Sequence, residues 1–292
     1  MNIIDGKKIA ETIQAELAAE VKQLVASGLR APHLAAVLVG NNGGSITYVN
    51  AKVKACERIG YRSTLVHLDE NTSESDLLAT VHRLNEDPET DGFIVQLPLP
   101  AHINAQKILE AIDPKKDVDG FHPVNVGRMA LNLPCYLPAT PYGILQLLER
   151  CKIETSGKHA VIIGRSHIVG SPLSILLARN TNPGNCTVTL VHSRTPDISS
   201  FTRNADIVIV AIGKPHFLKA DMVKEGAVVI DVGTTRMEAP GTKSGWRLLG
   251  DVKFDEVAPK CSWITPVPGG VGPMTITGLL QNTLLAAKKS VY

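Results

Sequence analysis

Lys158 to Pro172 read Lys-His-Ala-Val-Ile-Ile-Gly-Arg-Ser-His-Ile-Val-Gly-Ser-Pro, and this order of residue types predicts a strand, a tight turn and a helix. A β-branched run ends at Gly164, and an apolar segment with helical spacing follows Gly170. In a dinucleotide-binding βα unit, the pyrophosphate lies at the N-terminus of such a helix. The spacing departs from Gly-x-Gly-x-x-Gly, because Ser166 holds the second glycine position and the last glycine comes one residue late. From these residues alone, nucleotide binding and plain strand–helix packing both stay open.

The composition favours two α/β lobes that act on small molecules. The chain has 292 residues, 44% of them hydrophobic, which is enough for two domains with their own cores. The formal net charge is only +2, and acidic and basic residues are interspersed. This pattern argues against nucleic acid or an anionic membrane surface as a partner. We therefore expect small-molecule partners.

The cysteines and the start of the chain indicate a cytoplasmic protein. The five cysteines are scattered, and none falls in a Cys-x-x-Cys pair, so they are interpreted as reduced thiols. The chain begins Met-Asn-Ile-Ile-Asp-Gly, without a basic and then apolar leader. No apolar run reaches membrane-spanning length. We therefore predict a cytoplasmic location and no membrane segment.

The first half alternates strand and helix patterns, which predicts a parallel sheet. Apolar residues recur at helical spacing from Ile9 to Leu24, so a long helix is expected there. Strands are predicted at 35–39, 64–68 and 92–96, and helices at about 45–60 and 73–84.

The helix predicted at 45–60 carries a tyrosine and a lysine one turn apart. Ser45 is its expected N-cap, and Val49, Val53 and Cys56 form its apolar stripe. Tyr48 and Lys52, spaced i and i+4, are expected on a neighbouring face. Pairs at this spacing usually face solvent, so spacing alone does not make them a site.

Two loops of the first half carry residues suited to ligand binding. The turn from Gln96 to Pro100 follows a predicted strand, where ligands collect in open α/β sheets. The segment Lys116 to His122 places two aspartates beside a glycine. A turn device, a substrate contact and a metal site all fit this pattern. Metal is the least favoured of the three, because no other acids lie nearby in sequence, and no metal site is predicted.

The second half has the strand spacing of a Rossmann-like sheet. After the strand at 158–163, strands are predicted at 187–191, 206–211 and 228–232. The strand at 187–191 is followed by His192, Ser193 and Arg194. An acid there would accept hydrogen bonds from ribose hydroxyls, whereas serine and arginine suit a phosphate. The pattern favours NADP over NAD, with a solvated surface charge as the alternative for Arg194.

The segment Thr265 to Thr275 is rich in proline and glycine, which fixes an unusual backbone path. Such a loop can press against a flat ligand, and a tight crossover between domains is the alternative. A cis peptide bond is predicted before Pro100 or Pro268. The final helix, predicted at 279–287, is long enough to return to the first lobe.

Five motifs, taken together, resemble methylenetetrahydrofolate dehydrogenase/cyclohydrolase. They are Tyr48 to Lys52, Val95 to Pro100, Lys116 to Gly120, Gly164 to Ser166 and Thr265 to Thr275. They occur in the order of that family, and the match covers nearly the whole chain.

The resemblance implies two α/β lobes. Residues 1–140, completed by the C-terminal helix 275–292, would form a folate-binding catalytic domain, and residues 141–274 a Rossmann-like NADP-binding domain. It also implies an enzyme of one-carbon metabolism and purine biosynthesis. That enzyme oxidises 5,10-methylenetetrahydrofolate with NADP and hydrolyses the methenyl product to 10-formyltetrahydrofolate. A homodimer joined through the nucleotide domains is implied as well.

The resemblance also assigns roles to single residues. Lys52 would be the acid/base, Gln96 its hydrogen-bonded tuner, Tyr48 a ring stacked on the folate and Asp119 the pterin anchor. The expected substrate contacts are Tyr48, Val95, Gln96, Leu97, Pro98, Asp119, Pro268 and Gly269. The expected cofactor contacts are Gly164, Arg165, Ser166, Ile168, Val169, Ser193, Arg194, Ala211, Gly213, Val232, Gly233, Gly272, Thr275 and Thr277.

The chemistry agrees with these roles. A lysine desolvated beneath a flat ligand has its pKa lowered toward neutrality, which suits proton transfer during hydrolysis. A carboxylate accepts two hydrogen bonds from the amino-amide edge of a pterin. Two alternatives remain, a monofunctional dehydrogenase and a non-catalytic NADP-binding sensor whose first lobe binds a protein. Lys52 and Gln96 argue against the first, because hydride transfer needs no protein base.

Overall fold

The computed structural model describes residues 1–241 and 245–292, which form strands and helices in alternation. The strands are β1 (Asn2–Ile3), β2 (His33–Val39), β3 (Arg62–Leu68), β4 (Gly92–Val95), β5 (His159–Ile163), β6 (Thr187–Val191), β7 (Ile207–Val210), β8 (Val228–Asp231), β9 (Thr235–Glu238), β10 (Trp246–Leu249) and β11 (Trp263–Ile264). The helices are α1 (Gly6–Ala26), α2 (Gly43–Ile59), α3 (Glu74–Glu86), α4 (Ala105–Glu110), α5 (Pro123–Ala130), α6 (Ala139–Arg150), α7 (Gly170–Ala178), α8 (Ile198–Thr202), α9 (Phe254–Val257) and α10 (Val271–Ala287). Two 3₁₀ turns occupy Ala220–Met222 and Ala258–Lys260.

The chain forms two compact units, named here by their sheets. The three-strand unit contains Thr12–Ala139 and Ile276–Tyr292, and the six-strand unit contains Met1–Glu11 and Thr140–Thr275. The expected first domain, 1–140 with 275–292, differs from this division at its start. β1 pairs in parallel with β11, so the first residues belong to the six-strand unit. A strand of two residues is too short to show a hydrophobic pattern, so the pairing of β1 could not be predicted from the sequence.

The three-strand unit is built on a parallel sheet of order β3-β2-β4. β2 lies in the centre, and all seven of its residues are buried. A strand covered on both faces has a continuous apolar sequence, which is what Leu34 to Val39 show. The three strands predicted in this half are confirmed. The N-cap of α2 is Asn42 instead of Ser45, because the Asn42 side chain accepts a hydrogen bond from the Ser45 backbone N–H.

The six-strand unit has the order β1-β11-β8-β7-β5-β6, and each neighbouring pair is parallel. From β5 the chain goes first to β6 on one side and then to β7 on the other. This reversal creates the topological switch point at which doubly wound sheets bind ligands. The Rossmann-like sheet predicted from the sequence is confirmed.

Two glycines bring α7 close to the end of β5. Gly164 has φ +116°, and a Cβ there would overlap the carbonyl oxygen of Ala211 on the neighbouring chain segment. A Cβ at Gly170 would overlap the carbonyl oxygen of Gly164 itself. The turn that the sequence predicts therefore depends on glycine at both positions.

The proline-rich segment near the C-terminus is partly helical. Its irregular path ends at Gly270, and α10 begins at Val271, eight residues before the predicted start of the last helix. Pro273 fits the first turn of α10, where a backbone N–H has no intrahelical partner. The Val267–Pro268 bond is cis, as predicted. In the turn from Gln96 to Pro100, the cis bond precedes Pro98 and not Pro100.

No helix within residues 1–241 and 245–292 combines the length and the hydrophobicity that crossing a membrane requires.

Replacing Gly170 by alanine should destabilise the six-strand unit by roughly 1–3 kcal/mol, the usual cost of forcing an extra methyl group into a packed site. The reason is the overlap with the Gly164 carbonyl group. Urea unfolding followed by circular dichroism measures the change. Gly127→Ala in α5 is the control, because a Cβ there meets no atom within 4 Å. It should be neutral or stabilising by up to about 1 kcal/mol. Equal effects of the two substitutions would contradict the steric account.

Candidate active site

Helix α2 places Lys52 inside its own buried stripe. The buried residues of α2 recur every three or four positions, and they are Ser45, Val49, Lys52, Ala55, Cys56 and Ile59. Lys52 is only 8% exposed, whereas Val53, predicted in the stripe, is half-buried. The predicted neighbouring face for Lys52 is therefore wrong, because the stripe runs through the lysine and its charged end is withdrawn from bulk water.

Gln96 meets the buried end of Lys52. The Lys52 Nζ atom donates a hydrogen bond to Gln96 Oε1 over 3.1 Å. Gln96 directly follows β4, and its own Nε2 donates to the carbonyl oxygen of Leu97 over 2.7 Å. This second bond fixes the orientation of the amide, so the oxygen faces the lysine. The structure thus brings together two of the predicted catalytic residues.

Asp119 is the charged partner of Lys52. Burial lowers the pKa of the Lys52 ammonium group, and the negative charge of Asp119 partly opposes that shift. Burial raises the pKa of the Asp119 carboxyl group, and the positive charge of Lys52 acts in the opposite direction. The two side chains therefore lie close enough to influence each other's proton affinity, and Lys52 releases its proton more readily than a lysine in water.

Asp117, two residues before Asp119, shapes the loop that carries it. The buried Asp117 carboxylate accepts hydrogen bonds from the His122 backbone N–H over 2.8 Å and from Asn125 Nδ2 over 2.9 Å. Burial raises the pKa of Asp117 to about 7, although these hydrogen bonds oppose the shift. The residue pattern alone did not separate Asp117 from Asp119, and the resemblance gave a role only to Asp119. In the structure Asp117 supports the backbone of the loop.

A second asparagine holds the same loop from α10. Asn282 is buried, and its Nδ2 donates to the backbone oxygens of Val118 and Leu137, each over 2.8 Å. Sequence analysis missed this residue. Its neighbours in the sequence are Gln281 and Thr283, so no local pattern distinguished this amide from other polar residues.

The remaining predicted folate contacts differ in how accessible they are. Tyr48, one turn before Lys52, is 45% exposed, so its ring is free to stack against a ligand. Pro98 is exposed and Leu97 half-buried, but the Val95 side chain lies in the core cluster beside β2 and is not available to a ligand. Pro268 and Gly269 belong to the six-strand unit, in the turn before α10.

The six-strand unit contains a cavity of about 260 Å³ at its switch point. Four predicted cofactor residues line it, namely Gly164, Arg165, Ser193 and Ala211. Six further lining residues were not predicted, namely Ile163, His192, Ile198, Ile212, Lys214 and Phe217. Arg194 is exposed and is not part of this lining. A guanidinium group and a hydroxyl beside apolar walls suit the phosphate and the adenine of NADP.

The other predicted cofactor residues of the six-strand unit lie at the ends of its strands and helices. Ser166 Oγ accepts from the Val169 N–H over 3.1 Å, which shapes the turn before α7, and Ile168 is exposed there. Thr275 Oγ1 lies 2.9 Å from Thr140 Oγ1. Of the remaining ones, Gly213 follows β7, Val232 and Gly233 follow β8, and Gly272 lies in the first turn of α10.

Thr277 differs from its predicted role. It belongs to the three-strand unit and is completely buried. Its hydroxyl oxygen accepts a hydrogen bond from Gln14 Nε2 over 2.9 Å. The structure therefore places this threonine in the packing of α1 against α10, not at a surface that a cofactor could reach.

Known proteins resemble this chain over its whole length. A family model described as the tetrahydrofolate dehydrogenase/cyclohydrolase catalytic domain matches residues 4–119, and the NAD(P)-binding domain of the same family matches residues 138–291. The bifunctional protein FolD of Cytophaga hutchinsonii is 67% identical, over 98% of this chain and 99% of its own.

Solved structures agree with these matches. The bifunctional methylenetetrahydrofolate dehydrogenase/cyclohydrolase of Campylobacter jejuni is 48% identical with a TM-score of 0.93, covering 99% of each chain. The Trypanosoma brucei enzyme, solved with NADP and an inhibitor, is 42% identical with a TM-score of 0.93, covering 99% of this chain and 98% of its own. With both domain models matched in order and the buried Lys52–Gln96 pair in place, the chain belongs to the tetrahydrofolate dehydrogenase/cyclohydrolase family.

Proposed function

We propose specific roles for Lys52, Gln96, Asp119 and Tyr48 in the two reactions of this enzyme. The chain oxidises 5,10-methylenetetrahydrofolate to the 5,10-methenyl form with NADP, and it hydrolyses that product to 10-formyltetrahydrofolate. The observation that supports the roles is the burial of Lys52 together with its hydrogen bond to Gln96.

In the hydrolysis, Lys52 moves protons. The lowered pKa of Lys52 supplies a neutral amine, which takes a proton from the water that attacks the methenyl carbon. The bond from that carbon to N5 then breaks, and N5 receives a proton from the Lys52 ammonium group. The second water proton leaves to solvent, so charge and atoms balance. Gln96 keeps Nζ aimed at one place during both transfers.

In the oxidation, the chain's task is to bind and orient. NADP, when bound, accepts the hydride that leaves the methylene carbon, and this step needs no protein base. Arg165 and Ser193 line the cavity of the six-strand unit and would hold the ribose phosphate. Asp119 would accept two hydrogen bonds from the pterin, and the Tyr48 ring would stack against it.

Neither alternative from the sequence is supported. A monofunctional dehydrogenase would give no proton-transfer role to the buried Lys52 amine and its hydrogen bond to Gln96, since hydride transfer needs no protein base. A non-catalytic sensor is at odds with the match of the catalytic-domain model to residues 4–119.

A homodimer joined through the six-strand units and a cytoplasmic location complete the proposal. β6 is an edge strand that pairs with β5 on one side. Its Val188, Thr189 and Leu190 are half-buried, and an edge with unpaired backbone groups suits pairing with a second chain. All five cysteines are free thiols, which suits a reducing compartment.

Lys52→Gln should nearly abolish hydrolysis while oxidation persists. General acid/base groups contribute about a hundredfold to ten-thousandfold, and hydride transfer does not use one. The two steps are assayed separately by the absorbance of methenyltetrahydrofolate, with circular dichroism to confirm folding. Lys54→Gln, on the exposed face of the same helix, is the matched control and should change neither rate. If both steps fall by the same factor in Lys52→Gln, Lys52 is a binding residue.

Asp119→Ala should depress both reactions and folate affinity together, because both use the same pterin contact. Asp119→Asn, which keeps one carboxamide oxygen, should lose less of each. Substrate titration of the two steps and equilibrium binding of a folate give the result. A loss confined to hydrolysis would mean that Asp119 acts on Lys52 and does not bind the pterin.

Arg165→Ala should weaken NADP binding by about tenfold or more, since a charge-assisted hydrogen bond contributes about 1.5–3 kcal/mol and 1.4 kcal/mol is one decade. NAD binding should be nearly unchanged, because NAD lacks the phosphate. Arg194→Ala is the comparison, and its effect should be smaller because Arg194 lies outside the cavity lining. If Arg165→Ala weakens NADP binding and NAD binding equally, Arg165 does not bind the ribose phosphate.

A further inference from the structure

A buried carboxylate holds the loop that follows β7 in the six-strand unit. Asp251, two residues after β10, is 0% exposed. Its Oδ2 atom accepts hydrogen bonds from the backbone N–H groups of Ile212, over 2.8 Å, and of Gly213, over 3.0 Å. One carboxylate oxygen therefore binds two successive amides.

These amides lie where the sheet's own hydrogen bonding ends. The Ala211 N–H still donates to the Ile163 carbonyl oxygen, over 2.9 Å, in line with the β5–β7 ladder. At the next two residues the chain turns away, and Gly213 has φ +64°. Asp251 thus replaces the lost strand partner for both N–H groups. Ala211 and Ile212 form part of the cavity wall, so Asp251 sets the position of that wall from behind.

Asp251 is itself held by a second buried carboxylate. Asp231 Oδ1 accepts from the Asp251 and Gly233 N–H groups, each over 2.9 Å, and Asp231 Oδ2 accepts from the Val252 N–H over 2.9 Å. The Asp251 carboxylate also lies against Gly233, where an added Cβ would overlap it. These contacts hold the Asp251 backbone at the carboxyl ends of β7 and β8, and they place its carboxylate against Gly233.

We propose that Asp251 is a positioning residue for the NADP-dependent step, acting through the Ile212 and Gly213 amides on the wall of the cofactor cavity. The proposal rests on the assignment of this cavity to NADP. Without the carboxylate, two buried amides lack an acceptor and the loop must move to satisfy them. Cofactor affinity should then fall, although Asp251 does not touch the cofactor.

The test uses the enzyme's two activities as readouts for one substitution. Asp251→Ala should raise the KM for NADP and the Kd for NADPH, measured by fluorescence titration, by about tenfold or more, because two buried amides without an acceptor must be satisfied again before the cavity wall regains its binding position. Hydrolysis of methenyltetrahydrofolate supplied directly needs no cofactor, and its rate should stay unchanged. A merely structural role would lower both activities through loss of folded enzyme.

Asp251→Asn is the conservative variant. A single oxygen already accepts both hydrogen bonds, and Asp251 Oδ1 has no hydrogen-bond partner among the groups that the structure describes. The carboxamide oxygen can therefore accept both hydrogen bonds and keep the loop in place, while the amide NH2, buried without an acceptor, lowers the stability of the enzyme. NADPH affinity should accordingly fall much less than in Asp251→Ala. If Asp251→Ala does not fold, Asp251→Ser takes its place, because the shorter side chain cannot reach both amides. Amide hydrogen exchange at Ile212 and Gly213 should be faster in the weakened variant than in Asp251→Asn.

Three results would overturn the proposal. They are unchanged NADPH affinity in Asp251→Ala or its serine substitute, an equal fall of both activities, and a loss in Asp251→Asn as large as in Asp251→Ala. Arg165→Ala, measured in parallel, shows whether a negative result contradicts the role of Asp251 or the assignment of the cavity to NADP. If it weakens NADPH while Asp251→Ala does not, the cavity assignment stands and the role of Asp251 is wrong. If neither substitution changes NADPH affinity, the cavity assignment itself fails.

Discussion

Burial of the Lys52 amine is the constraint on which the rest of the three-strand unit depends. Removing an ammonium group from water costs several kcal/mol unless other groups compensate. Helix α2 nevertheless places Lys52 in its buried stripe, between Val49 and Cys56. The Gln96 amide oxygen and the charge of Asp119 offset part of this desolvation cost. The part that is not offset lowers the pKa of Lys52. The lowered pKa serves the reaction, because it allows the amine to be neutral when it accepts a proton and to give that proton up again.

Such a pair works only if its partners do not move. Gln96 is fixed by its bond to the Leu97 carbonyl oxygen, and the Asp119 loop is tied down by Asn125 from α5 and Asn282 from α10. Asn125 and Asn282 are buried, and each donates two hydrogen bonds to this part of the chain, so the loop is held by groups of the protein itself. The entropy cost of fixing it is met during folding and not during binding, which leaves more of the binding energy for the reaction.

Local patterns predicted most of the fold and fewer of the contacts. Hydrophobic runs predicted the strands from β2 to β8, whereas β9, β10 and β11 were not predicted. The Gly164 turn left nucleotide binding and plain strand–helix packing both open, and the family resemblance decided between them. The face of α2 on which Lys52 lies was predicted wrongly, because a lysine is assigned to solvent unless tertiary partners are known. Thr277 was misplaced for a related reason, since its partner Gln14 is 263 residues away. β1 was not predicted, because a strand of two residues is too short to show hydrophobic periodicity.

The residues that sequence analysis missed share a physical origin. A ligand-binding loop at the end of a strand leaves the sheet's hydrogen-bonded ladder, and its backbone groups lose their partners while water is excluded. Something buried must replace those partners, and the neighbouring strand cannot. Asn282 does this for Val118, and Asp251 does it for Ile212, 39 residues away in sequence. A buried polar side chain that supports such a loop can therefore lie far from it in sequence, and its neighbours along the chain, Gln281 and Thr283 for Asn282 or Lys253 for Asp251, do not mark it as buried.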